Sequence, residues 1–85
     1  HPNPFTAAGT RFAFALGQAA AVQLEIFDPA GKLVRQLTGG SQFPGEQVLG
    51  WDGCDAQGAP VVPGVYFYRL HAPGLDRRGK LVRAR

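Results

Sequence analysis

The sequence has a single cysteine, Cys54, and no methionine. One cysteine excludes an internal disulfide and every multi-cysteine zinc site. A domain of this size must then hold itself by packing, by a partner or by attachment to a larger chain. No apolar run approaches the roughly 20 residues that a membrane-spanning helix needs. Charged residues make up only 18% of the chain. Helical periodicity is missing too, and 12 Gly and 7 Pro are spread along the 85 residues, which excludes a helical bundle. So small a domain buries only about 60–65% of its unfolded surface. That leaves one thin core and no room for a large catalytic cleft, a nucleotide-binding fold or two domains. No signal-peptide pattern is present, so targeting does not reveal the compartment.

What the sequence does have is alternation with a period of two, the mark of half-buried strands. In Thr10–Leu16, Phe12, Phe14 and Leu16 share one face. In Ala21–Phe27, Val22, Leu24 and Ile26 point inward, and Gln23 and Glu25 point outward. Asp28-Pro29-Ala30-Gly31 has turn chemistry, and Lys32–Leu37 is expected to return as its hairpin partner. Thr38–Gly45 reads as a loop, Glu46–Trp51 as a strand, and Asp52–Pro60 as a polar loop. Val61-Val62 reads as a short strand, Val65–His71 as the strongest strand by propensity, Pro73–Gly79 as a turn, and 80–85 as the last strand. The fold class expected is all-β, an Ig- or fibronectin-like antiparallel sandwich of about seven strands. Residues 1–9 would form an extended arm, stiffened by Pro2 and Pro4, and residues 10–85 one domain. Trp51, the only tryptophan, is the expected core anchor.

Charge is unevenly placed. Residues 1–68 carry Arg11, Lys32 and Arg35 against Glu25, Asp28, Glu46, Asp52 and Asp55. Residues 69–85 carry Arg69, Arg77, Arg78, Lys80, Arg83 and Arg85 against Asp76 alone. The last fifth is a basic patch on a mildly acidic body. In the final strand Lys80, Val82 and Ala84 share one face and Leu81, Arg83 and Arg85 the other, so cations are not segregated as a nucleic-acid face requires. Charges on an edge strand also guard it against aggregation. No nucleic-acid partner is expected.

Constellations that carry chemistry are few. Asp52, Asp55 and the Gln57 carbonyl region put oxygen donors in a Gly-containing loop, but without the ligand spacing of a calcium loop; two turn-capping carboxylates give the same pattern. His1 and His71 are the only imidazoles, too few for a copper site, and both are expected to be exposed. Cys54 has no His partner nearby in sequence, and a solvent-facing or half-buried thiol is expected, open to intermolecular pairing in an oxidising compartment. No catalytic residue, metal or cofactor is assigned.

Pro2-Asn3-Pro4-Phe5, Phe27-Asp28, Gly31-Lys32-Leu33-Val34-Arg35, Trp51-Asp52-Gly53 with Asp55 and Gly58, Pro63 through Leu70, and Lys80-Leu81-Val82 follow one another in order. This ordered set resembles the Ig-like C-terminal sorting domains of type IX secretion cargo and the Ig-like domain of the flagellar hook-capping protein. The resemblance implies a seven-stranded sandwich, an extracellular or bacterial cell-surface location and no catalysis. It also implies recognition by secretion or surface-anchoring machinery through Gly64, Tyr66, Phe67, Tyr68, Lys80, Leu81 and Val82. The alternative is a self-assembling filament or cap subunit, joined by strand addition or by exchange of the arm Pro2, Asn3, Pro4 and Phe5. A third reading is a carbohydrate- or matrix-binding module using exposed aromatics. One feature needs an explanation in all three: Tyr66, Tyr68 and Leu70 make one apolar face of their strand, and Val65 and Phe67 start a second. Either the 38–45 loop with Phe43 covers Phe67, or Phe67 belongs to a docking patch.

Overall fold

The computed structural model describes residues 3–5, 10–41 and 44–83, with side chains for 10–39 and 44–83. It is all-β. Seven strands run β1 (Asn3–Phe5), β2 (Thr10–Leu16), β3 (Ala20–Phe27), β4 (Leu33–Ser41), β5 (Gly45–Trp51), β6 (Gly64–Ala72) and β7 (Leu75–Arg83). Five form one sheet in the order β1-β7-β6-β3-β4, and β2 and β5 form a second. Alternation sets the interior. Phe12, Phe14 and Leu16 of β2 and Trp51 of β5 face Val22, Leu24 and Ile26 of β3, Tyr66 and Leu70 of β6, and Leu81 of β7, all buried. Trp51, Leu24, Ile26, Leu70, Leu81 and Val22 are the most completely buried large side chains. Each contributes about 1.5–3 kcal/mol through the apolar surface it removes from water.

The strands differ from the sequence expectation in four places. β4 continues through Thr38–Ser41, where a loop was expected, and pairs with β3 as far as Ala20↔Ser41. Gly39 lies close to Leu49 of β5: an added Cβ would stand 3.1 Å from Leu49 Cδ1, so that side chain would have to yield by a few tenths of an ångström. β7 starts at Leu75, not Lys80, because Pro73-Gly74 alone turns the chain, with Gly74 at φ +77° and Ala72 already paired with Leu75. Asp76–Gly79 is therefore strand, its arginines on opposite faces. Val61-Val62 is not a strand: Val61 is buried under the 52–63 loop, and the bridge there joins Cys54 to Pro60. Finally, the larger sheet is not wholly antiparallel, since β1 lies parallel to β7 in the register Asn3↔Leu81, Pro4↔Val82, Phe5↔Arg83.

Two turns are copies of one device. At Asp28, Oδ1 accepts the Ala30 and Lys32 N–H groups at 3.0 and 2.9 Å, and the Asp28 carbonyl accepts the Gly31 N–H at 2.9 Å. At Asp55, Oδ1 accepts Gln57 and Ala59 N–H at 2.9 and 3.0 Å, and the carbonyl accepts Gly58 N–H at 3.0 Å. Each Asp N–H closes the loop on the carbonyl four residues on, and each glycine sits at φ +87°. The rule is Asp at the first position and Gly at the fourth, since only Gly adopts that φ without strain. Asp28→Ala and Asp55→Ala are each expected to cost about 1 kcal/mol in chemical denaturation, while Asn at either position recovers most of it.

Candidate functional site

The two-stranded sheet is narrower than the five-stranded one, and the 52–63 loop completes the cover at one end of the core. Two arginines strap it down from different strands. Arg35 of β4 donates from Nη1 to Asp52 Oδ1 at 3.1 Å, to the Cys54 carbonyl at 2.9 Å and to the Asp55 carbonyl at 3.2 Å. Arg83 of β7 donates to the Gly53 carbonyl at 3.2 Å. Trp51 Nε1 also donates to the Cys54 carbonyl, at 2.9 Å. The Cys54 N–H beside Asp52 holds that carboxyl below its usual range, with Arg35 adding to the effect. Asp52 and Asp55 thus spend their carboxylates on backbone donors and an arginine, as turn and loop caps. Cys54 is half-buried, its Sγ 3.9 Å from the Asp52 carbonyl. The Tyr66 hydroxyl donates to the Val62 carbonyl at 2.6 Å, and burial pushes its pKa up.

The outer face of the five-stranded sheet is different in character. A solvated sheet face is normally polar. Register places Val82 of β7 beside Val65 of β6, and Lys80 beside Phe67, Phe67 beside Phe27 of β3, and Phe27 beside Leu33 of β4. Leu33, Val65 and Phe67 remain 44%, 37% and 40% exposed. The next row runs Arg78, Arg69, Glu25, Gln36, and the one after it Asp76, His71, Gln23. Phe27, Phe67, Arg69, Arg78, Lys80 and Glu25 line a shallow depression of about 710 Å³.

Its electrostatics are specific. Arg69 and Arg78 converge on Asp76, with Nε···Oδ1 distances of 3.4 and 3.6 Å. The hydrogen bond from Arg69 holds the Asp76 carboxyl below its usual range, and Arg78 reinforces it. Glu25 lies 3.0 Å from His71 Nε2, and both are about three-quarters buried. His71 is therefore not the exposed residue expected, because a carboxylate 46 positions away is brought to it by the β3–β6 register. Lys80 has no carboxylate partner among the described residues.

The residues singled out by sequence divide between the faces. Tyr66 and Leu81 are buried in the core, and Tyr68 is half-buried against Phe12, ring centroids 4.9 Å apart. A partner cannot reach Tyr66 or Leu81. Phe67, Lys80 and Val82 share the outer face, and Gly64 opens β6 at φ +150°. Trp51 is 1% exposed at the centre of the core. Asn3, Pro4 and Phe5 lie in β1, while Pro2, His1 and Phe43 fall outside the described residues. Thr38–Ser41 pairs with the Ala20–Gln23 end of β3, away from Phe27 and Phe67. Phe27 and Leu33 complete the row, and Arg69 and Arg78 the row beside it; sequence did not join them to Phe67, because their adjacency arises from strand order.

The FlgD Ig-like domain model matches residues 3–74. The chain belongs to that family. No curated protein sequence matches this FlgD-type Ig-like domain. Among solved structures, FlgD from Xanthomonas campestris aligns at a TM-score of 0.64 and 29% identity, over 91% of this chain and 57% of that one. Dimeric latent PorU from Porphyromonas gingivalis aligns at a TM-score of 0.72 and 24% identity, over 98% of this chain and 9% of that one. PorZ, an essential bacterial surface component of the type IX secretion system of the same organism, aligns at 0.66 and 23%, over 100% and 11%. PorU and PorZ share the fold. The domain spans little more than half of the FlgD chain and about a tenth of the Por chains.

Proposed function

We propose that this domain is a non-catalytic docking module of a larger secreted bacterial protein, acting in sorting or cell-surface attachment. The observation that carries the reading is the open row Val65–Val82 and Lys80–Phe67–Phe27 on the outer face of the five-stranded sheet. Contiguous exposed apolar surface on a small domain marks an interaction site. Family membership and the fold shared with a surface component of type IX secretion support the same reading. Fusing the domain to a reporter in type IX-competent cells is expected to place the reporter on the surface. Phe67→Ser is expected to cut the surface fraction at least about fivefold while changing stability by less than about 1 kcal/mol, because the ring is already part-exposed. A reporter that stays inside, or a Phe67→Ser fusion that is exported normally, defeats the reading.

A second reading is assembly with copies of the domain. It is favoured by the β7 edge, where β1 pairs along Leu81–Arg83 and no strand among the described residues pairs with Leu75–Lys80 on that side. Light scattering that finds a strict monomer at millimolar concentration rejects it.

A further inference from the structure

We infer that the outer-face depression takes an apolar peptide segment flanked by carboxylates, so that the partner is an acidic, amphipathic stretch of protein. The inference rests on the docking reading and adds the chemistry of the partner. Three observations carry it. First, the row is aliphatic as well as aromatic: Leu33, Phe27, Phe67, Val65 and Val82 run across four strands, wider than a single stacked sugar ring needs. Second, its cations exceed its anions. Arg69 and Arg78 share one carboxylate, that of Asp76, Lys80 has none among the described residues, and Glu25 is taken up by His71. Third, the cations gather at the β7 end of the row and along one side of it. Lys80 extends it beyond Phe67, and Arg78 and Arg69 form the adjacent row over the depression. Aromatic rings beside arginines are the usual centre of a protein interface, and positive charge beside them selects a partner of opposite sign.

The test uses the 85-residue chain, isotope-labelled, and three synthetic peptides of one length, in which Leu and Phe alternate with Glu, with Gln or with Lys. Amide shifts in NMR titration report both affinity and site. The Glu peptide is expected to move the amides of Phe27, Phe67, Arg78 and Lys80. Its affinity should exceed that of the Gln peptide about tenfold at low salt and fall towards it at 0.5 M salt. Lys80→Glu with Arg78→Glu should erase that advantage, whereas Arg11→Glu, on the exposed face of β2 in the other sheet, should keep it within about twofold. Melting temperatures confirm that each variant folds. The inference is overturned if the Gln or Lys peptide binds as well as the Glu peptide, if the shifts fall elsewhere, or if heparin, which has no apolar groups, binds this face as tightly. In those cases a Phe67→Ser loss in the export assay leaves docking intact with a different partner chemistry. Normal export of that variant removes docking itself.

Discussion

Trp51→Ala is expected to destabilise the domain by about 3–5 kcal/mol. The ring is 1% exposed and packs edge-on to Tyr66, centroids 6.2 Å apart at 66°. Its removal creates a cavity. A domain of 85 residues has on the order of 4–13 kcal/mol in total. The loss reaches beyond the core, because Trp51 Nε1 and Arg35 Nη1 both donate to the Cys54 carbonyl. One side chain therefore anchors the two sheets and fastens the loop that completes their cover. Trp51→Phe keeps most of the ring volume and drops the hydrogen bond, so it should cost about 1–3 kcal/mol. Denaturant titration of both variants separates packing from the loop tether. A Trp51→Ala variant within 1 kcal/mol of the parent would show that the core does not depend on this ring.

The second large effect is expected at a residue with no side chain. Gly79 is in the interior of β7 without a left-handed φ, a place where Ala ordinarily stabilises by about 0.5–1 kcal/mol. Here the Tyr68 ring lies across it. A Cβ would stand 2.5 Å from Tyr68 Cε2 and 2.7 Å from its Cζ and Oη. The ring also packs against Phe12 of the opposite sheet, the two rings inclined at 56°, so moving it aside disturbs a core contact. Gly79→Ala should cost about 1–3 kcal/mol. In a Tyr68→Ala background the same substitution should be neutral or stabilising. This reversal of sign is a coupling that a double-mutant cycle measures directly. Additive effects would show that the ring and the glycine are independent.

The faces of the strands were legible because burial imposes a period of two, and Val22, Leu24, Ile26, Phe12 and Phe14 sit where alternation places them. The turn at Asp28 was legible because its chemistry is local. What escaped the sequence reading depends on a neighbour distant in the chain. Gly39 looks like a loop residue until its pairing with Val22 of β3 and the close approach of Leu49 Cδ1 are seen. Asp76–Gly79 looks like a turn until its arginines are seen to alternate, Arg78 towards Asp76 and Arg77 across to the Ala13 carbonyl of β2 at 2.8 Å. The candidate site was half legible. Phe67 stood out as an apolar residue on the wrong face, but the row joining it to Phe27, Leu33 and Lys80 exists only once β7, β6, β3 and β4 lie side by side.

The parallel alignment of β1 with β7 has a mechanical consequence. Asn3 begins its strand beside Leu81, and Arg83 ends its own beside Phe5. A pull that separates the two termini draws β1 backwards and β7 forwards along their common axis. The hydrogen bonds between them then lie across the force and share it together, instead of opening one after another as in a zipper. Because Pro4 contributes no N–H, this clasp is short. It is nevertheless the first part of the sheet to bear a load applied at both ends, and it stands between that load and the core.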